Sequence, residues 1–311
     1  MQINFEQTLD NCAIFGYNLA MTTLTFEVLP DEHGRQVKQI LRARGVSVRL
    51  MNRLKRTPYG LCLNGESVVR TVDLVQTGDT IILNIPDDAP SIEALAHPLD
   101  ILYEDADILV VNKPPTLPLH PSRNHQGDTL ANAVAAYKPG IFRVAGRLDK
   151  GTSGVVVCCL HAFAAAKLNG QVRKTYFALA HGSYTGTGTF RNAIYRPDPM
   201  CTLRACRDHE EARLPGDETA VTHWEALSTY ENITLLRIQL ETGRTHQIRV
   251  HFAHHGSPLL GDDYYGAPPR HEPGHFLHCG EANIAHPVTG QAMTFCAPMP
   301  EAMAAVVSQI K

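Results

Sequence analysis

Three short segments of this sequence gather residue types that do chemistry. The sharpest is Gly146-Arg147-Leu148-Asp149-Lys150-Gly151-Thr152-Ser153-Gly154. Its one carboxylate, Asp149, stands between Arg147 and Lys150, and nearby positive charge favours the ionised form. Gly151 and Gly154 free the backbone for close approach of a ligand. An isolated Asp in such a loop is more often a structural cap than a catalyst, so this segment needs company. The second runs from Glu241 to Phe252. There Thr242 or Thr245 is placed to cap a helix over 245–255 that Gly256 ends. Arg249 follows Thr245 by four and Arg244 sits at the mouth. The partial positive charge of a helix start suits a phosphate or a carboxylate at this place. The third is Lys174-Thr175-Tyr176-Phe177-Ala178-Leu179. Tyr176 lies on an expected strand, where an aromatic is usually core.

The elements that must position these residues are legible in outline. Ile108 to Val111 is a short apolar strand. Asp128 is placed to cap a helix through Tyr137, which Pro139-Gly140 stops. Val155 to Leu160 is a buried strand, and Ala162 to Leu168 an Ala-rich helix. Thr175 to Ala180 and Ile233 to Leu240 are strands. This irregular interleaving predicts an α+β fold with a mixed, mainly antiparallel central sheet.

The first part of the chain reads differently. Residues 1–21 fit neither a signal peptide nor a strong helix and are taken as an extension. Residues 22–86 form a small unit: a strand near Thr23–Val28, two short basic helices, a hairpin turning at Asn64-Gly65, and a strand after Gly78-Asp79. Residues 87–99, rich in Pro, Ala and acids, read as a linker, and a larger domain fills 100–311.

The chain has 311 residues, 44% hydrophobic and 19% charged, enough for a real core and more than one domain. No long uncharged apolar run suggests a membrane span. Eight cysteines without a C-x-x-C, and no export signal, point to reduced thiols in the cytoplasm. Net charge is -3, a mild argument against nucleic acid, but distribution outweighs the sum. Arg35 to Arg56 holds only basic charges, among them Arg42, Arg49, Arg53, Lys55 and Arg56, whereas Asp87 to Asp107 holds only acids. The basic run could grip phosphates; the plainer alternative is a solvated helix face.

Residues 22–86 resemble the RNA-binding domain first seen in ribosomal protein S-four, through Leu63-Asn64-Gly65 and Gly78-Asp79-Thr80-Ile81. Asn52 stands where that domain commonly opens its second helix with Ser or Thr. The larger domain resembles the RluA-type family of pseudouridine synthases over roughly residues 100–300. Its motifs are matched in order by Leu109 to Pro115, by Arg147-Leu148-Asp149, by Lys174-Thr175-Tyr176, by Gly243 to His251 and by Gly261-Asp262 with Tyr265-Gly266. Leu277-His278, His286-Pro287 and Ala297-Pro298 match weaker tail signals. Gly146 departs from the family, which more often has His there, and so does Leu117-Pro118-Leu119.

The resemblance implies the pseudouridine synthase fold and cofactor-free isomerisation of uridine in structured RNA, ribosomal or transfer, at a stem-loop. It implies that Asp149 acts on the sugar, that Tyr176 stacks on the uracil or moves a proton, and that Arg244 pairs with Asp149. Arg147 would hold the target nucleotide out of its stack. Thr152, His246, Gln247 and Arg249 would bind substrate. No membrane and no obligate protein partner is expected.

Three other readings compete. An RNA glycoside hydrolase needs two carboxylates at a set separation, and the key loop offers one. A non-catalytic RNA-binding protein is opposed by the set Asp149, Tyr176 and Arg244. A metalloenzyme is suggested by 16 His, with His251 and His255 four apart. No Glu lies between them and no third ligand is evident, so no metal is expected and these histidines are read as surface or RNA-facing groups.

Overall fold

The computed structural model describes residues 21–68, 70–86, 92–122, 125–138, 140, 142–208, 214–268 and 274–309. The expected extension before Met21 and the start of the linker, 87–91, lie outside them.

The first unit is a four-stranded sheet in the order β1-β4-β2-β3. It comprises β1 (Met21–Glu27), α1 (Val37–Ala43), α2 (Val48–Leu54), β2 (Leu61–Leu63), β3 (Glu66–Ser67) and β4 (Thr80–Pro86). Every second residue of β4 is buried, as one covered face requires. Asn64 and Gly65 both take positive φ, 51° and 87°, the geometry of a tight hairpin turn. The Asn64 amide donates to Asp79 Oδ1 at 2.8 Å while its oxygen accepts from Thr80 N, so the two turns brace each other. The residue capping α2 is Ser47, whose hydroxyl accepts from Leu50 N. Asn52 therefore lies inside the helix rather than at its start.

The larger unit is a nine-stranded sheet. Its strands are β5 (Asp100–Glu104), β6 (Ile108–Lys113), β7 (Ser153–Cys159), β8 (Arg173–His181), β9 (Thr187–Phe190), β12 (Thr222–Tyr230), β13 (Ile233–Leu240), β14 (Leu277–Ala285) and β15 (Ala292–Cys296). The order is β5-β6-β7-β14-β8-β13-β12-β9, with β15 beside β14. Only β7 and β14 pair in parallel; the other ladders are antiparallel. The expected α+β architecture is thus present. Every residue of β7 is buried, as a central strand rich in Val demands. A two-stranded ribbon, β10 (Ile194–Tyr195) with β11 (Ala205–Cys206), stands off the sheet.

Helices α3 (Leu130–Tyr137), α4 (Ala162–Leu168), α5 (Gln247–His254) and α6 (Glu301–Gln309) complete the unit. Among the described residues, no helix is long and apolar enough to cross a membrane. The cap of α3 is Thr129, not Asp128: the Thr129 hydroxyl accepts from Asn132 N, and Asp128 instead meets His125. Thr129 has the extended backbone that a cap needs. Residues 92–99 run along α3, where Asn132 donates to Glu93 O and Leu95 N to Asn132 O. The two units meet at α4. Phe163 is buried in the core of the small sheet, 6.2 Å from Phe26, alongside Val288 of the larger unit.

Candidate active site

Asp149 sits at the floor of an open cleft of about 1460 Å³, with Tyr176, Arg147, His246, Arg249 and His275 around it. Its loop connects the segment after α3 to β7. The Thr152 N–H closes the loop on Asp149 O at 3.1 Å. The carboxylate remains about a quarter exposed, so a substrate can reach it.

The cation beside Asp149 is Arg249, not the expected Arg244. Arg249 Nη1 donates to Asp149 Oδ2 at 3.4 Å. The rest of its guanidinium grips Asp262 through two bonds of 2.7 and 2.8 Å. Burial opposes the charge on Arg249, yet the hydrogen bond and charge of Asp262, with Asp149 adding to them, hold its pKa above the ordinary value. Arg244 lines the same cleft but bonds Glu218 at 3.3 Å and Thr219 O at 3.1 Å instead. No threonine caps α5; His246 precedes it with φ 58°, in the left-handed region.

Gln247 is also reassigned. Its amide donates to Val221 O and Thr222 Oγ1 and accepts from Thr242 Oγ1 and Arg244 N. All four hydrogen-bonding positions are spent on the fold, so it pins α5 to β12 rather than reading a ligand. Thr242, expected as a cap, serves this pin. Thr152 is nearly fully buried and bonds His275 Nε2 at 2.9 Å. Arg147 is exposed at the rim, 3.4 Å from Thr245 Oγ1.

His246 links two sides of the site. Its Nδ1 meets the Tyr265 hydroxyl at 2.8 Å and its Nε2 lies 4.0 Å from Asp149. Burial lowers its pKa, against the pull of Asp149. Tyr176, on β8, is buried, and burial raises its phenol well above the ordinary value. It stays protonated at neutral pH, which suits a stacking surface or a donor and disfavours a resting base.

Four further residues shape the floor. Lys113 is fully buried and donates to the carbonyls of Pro114, Leu117 and Lys150, each at 2.9 Å. Burial pushes its ammonium down to about 7, opposed by the charge of Asp149. Asp262 and Tyr265 lay within matched motifs but carried no expected role. His275 escaped the sequence reading altogether. It is buried between Lys113, Arg249 and His246, and burial with these charges lowers its pKa well below the usual range.

The paired His251 and His255 are not a metal site. His251 is completely buried, a correction to its reading as a surface group, with both nitrogens engaged by Thr222 Oγ1 and Asn192 O at 2.9 Å. His255 stacks on Phe190 at 4.1 Å. Asp105, Asp107 and His286 do cluster with ligand spacing. There, His286 Nδ1 accepts from Thr289 N, so its Nε2 carries the proton toward Asp105. No lone pair of that ring is left for an ion.

The basic residues expected to hold RNA lie on α1 and α2 and the turn after them. Arg42, Arg49, Lys55 and Arg56 are exposed and Arg53 is half-buried. Arg49, Arg53 and Arg56 border a shallow depression of about 670 Å³.

Comparison with known proteins gives this geometry a context. The family model of RNA pseudouridylate synthase matches residues 107–254. An uncharacterised RNA pseudouridine synthase of Bacillus subtilis is 36% identical, over 87% of this chain and 98% of its own length. The ribosomal large subunit pseudouridine synthase D of Haemophilus influenzae is 34% identical, over 93% of this chain and 95% of its own. The chain belongs to the RluA-type RNA pseudouridine synthases. This synthase isomerises uridine in RNA to pseudouridine. The human RNA pseudouridylate synthase domain containing 4 shares the fold, at TM-score 0.55 and 22% identity, over 68% of the synthase and 92% of that chain.

Proposed function

We propose that the synthase modifies large-subunit ribosomal RNA in the cytoplasm, with Asp149 as the catalytic carboxylate and no cofactor. One observation carries the reading: Asp149 lines the cleft about a quarter exposed, beside a cation, Arg249, that is already committed to Asp262. A carboxylate beside a shared cation is held in place without being consumed by a full ion pair. That is what attack on the anomeric carbon, or removal of a sugar proton, requires. In the net reaction the bond from N1 to the anomeric carbon breaks, the uracil turns, and C5 bonds to that carbon. C5 loses a proton and N1 gains one, so nothing is consumed.

The other groups take roles that follow from their placement. Tyr176 offers a neutral aromatic face and a hydroxyl for the turning base. Arg147, exposed at the rim, holds the flipped nucleotide out of the stack. Arg249 and His246 keep Asp149 aimed. The unit from Met21 to Pro86 is an RNA-binding domain like that of ribosomal protein S-four; its exposed Arg49, Lys55 and Arg56 add salt-sensitive affinity. Asp262, the carboxylate that shares Arg249 with Asp149, is buried and locked by that arginine, so it does not serve as the second carboxylate of a hydrolase. Transfer RNA is the alternative substrate; the name of the Haemophilus influenzae relative favours ribosomal RNA.

The test is a comparison of pseudouridine maps, by carbodiimide-based sequencing, from wild-type cells, a deletion and an Asp149→Ala strain. Ribosomal RNA sites lost in both altered strains are expected. Sites kept in the Asp149→Ala strain but lost in the deletion would remove Asp149 from its role, and loss confined to transfer RNA would move the substrate.

A further inference from the structure

His161, Asp107 and His286 are buried, and none of them lines the cleft. His161 Nδ1 accepts from Ala164 N and so caps α4. Its Nε2 therefore carries the proton and donates to Asp107 Oδ1 at 2.7 Å. Leu160 N adds a bond to Asp107 O at 2.9 Å, so the start of α4 is tied twice to the turn between β5 and β6. His286 holds the turn after β14 in the same way. Its Nδ1 accepts from Thr289 N at 3.1 Å, and its Nε2 donates to Asp105 at 2.9 Å and stands 3.6 Å from Asp107. The two tied segments, α4 and the turn after β14, carry Phe163 and Val288 into the small unit. Phe163, an aromatic on an otherwise Ala-rich helix, is only 2% exposed and belongs to the core of that unit, and Val288 packs against the same core. A side chain at Gly45 would collide with the stem of Lys167, so α4 also lies against the turn after α1.

We propose that Phe163 and His161 are positioning residues of a fixed joint, which holds the small unit in one place relative to the cleft and so selects a uridine at a set distance from the RNA that this unit grips. Domains joined by a linker move against one another unless a substantial apolar contact stops them. Here a side chain of the larger unit completes the core of the smaller one. Separation would expose Phe163 together with the apolar residues that cover it, and an aromatic buried in this way contributes a large apolar area. His161 keeps the knob from swinging, because it caps the helix that carries Phe163 and anchors that helix to a buried carboxylate. Two linked binding sites raise affinity only when their spacing matches the ligand, so a fixed joint favours the RNA whose two contact points have that spacing.

The inference rests on the small unit being an RNA-binding domain, so the experiment carries both readings. Full-length wild type, Phe163→Ala, Phe163→Leu and His161→Asn are compared by small-angle X-ray scattering and by the kinetics of two substrates. One is a large-subunit ribosomal RNA transcript; the other is a short stem-loop cut from it around a modified uridine. Phe163→Ala is expected to enlarge the radius of gyration and to lower kcat/KM on the long transcript about tenfold, a fraction of the avidity that two linked sites provide. Its kcat at saturating RNA and its rate on the short stem-loop should match the wild type. Phe163→Leu is expected to recover most of the loss. In His161→Asn the cap is kept and the tie to Asp107 is lost, so a smaller change in the same direction is expected. If hydrogen–deuterium exchange shows that Phe163→Ala unfolds the small unit, His161→Asn decides the case. An unchanged radius and an unchanged kcat/KM overturn the joint, and so does an equal loss on both substrates. A separate variant with Arg49, Lys55 and Arg56 replaced by Ala judges the underlying reading. Wild-type kcat/KM on the long transcript in that variant overturns RNA binding by the small unit, while the scattering of the Phe163 variants still judges the joint.

Discussion

The cleft floor and the basic face of α1 and α2 both depend on charge, in opposite ways. On the floor, Arg249, Asp262 and Lys113 are buried, and each is held by short, directed bonds. On the basic face, Arg49, Lys55 and Arg56 are exposed and project into solvent. Buried charges are screened little by salt, and their effect depends on position to within a fraction of an ångström. Exposed charges act together over a Debye length of about 10 Å at 0.1 M salt and tolerate imprecise placement. In the function proposed above, one region governs the chemical step, and the other governs RNA affinity and its salt dependence.

The largest effect expected from this contrast belongs to Asp149→Asn, which removes charge from the floor and keeps shape. The single-turnover rate should fall by about a thousandfold with RNA affinity held, in the range of acid–base groups. Next comes Arg249→Met, which strands Asp262 without its counter-ion. Breaking a buried pair from one side costs about 3–5 kcal/mol, and urea unfolding would show it. A variant as stable as the wild type would mean that Asp262 finds another partner.

A third test concerns buried charge away from the floor. Burial pushes His251 down to about 4, so it is neutral in the folded chain and charged when unfolded at acid pH. The unfolded state binds the extra proton, so this stability is present above pH 6.5 and is lost as pH falls from 6.5 toward 4. The loss is roughly 3 kcal/mol at most. Urea unfolding of wild type and His251→Gln at pH 7.5 and 4.5 checks it; equal pH dependence in both would remove His251 as the cause.

The exposed face should behave otherwise. Replacing Arg49, Lys55 and Arg56 by Ala is expected to weaken RNA binding about tenfold at low salt, an effect that shrinks as salt rises. The slope of log affinity against log salt should flatten by about 0.7–0.9 for each phosphate that is no longer neutralised. Turnover at saturating RNA should not change, and a slowed chemical step would join the two regions that the contrast separates. The smallest effect is expected from Arg244→Ala. Its pair with Glu218 is exposed and worth under about 1 kcal/mol. A rate loss like that of Asp149→Asn would restore Arg244 to the site.

Much of this organisation was open to local reading. Asn64-Gly65 announces a hairpin because its residues tolerate positive φ, and α4 and β13 have the bounds that their patterns predict. The order of short motifs identified the loop of Asp149, since flanking glycines and cations act on the residue beside them. What local reading missed were partners. Asp128 and Thr129 both look like caps, and only the turn geometry chooses between them. His275 carries no signal of its own; its meaning comes from Thr152, 123 residues away.

By itself, the sequence determined which loop sets a carboxylate, Asp149, between two cations and which face is basic, because both depend on neighbours along the chain. Only the tertiary structure decided which arginine serves that carboxylate. Arg244 and Arg249 stand five apart around one helix start, and either is plausible by composition. Glu218 and Thr219 hold the first, and Asp262 and Asp149, 13 and 100 residues distant, capture the second. A helix presents a given side chain to a given place only when its rotation is fixed. Here Gln247 fixes it through bonds to β12 and to the segment before the helix, and those partners come within reach only once the chain has folded.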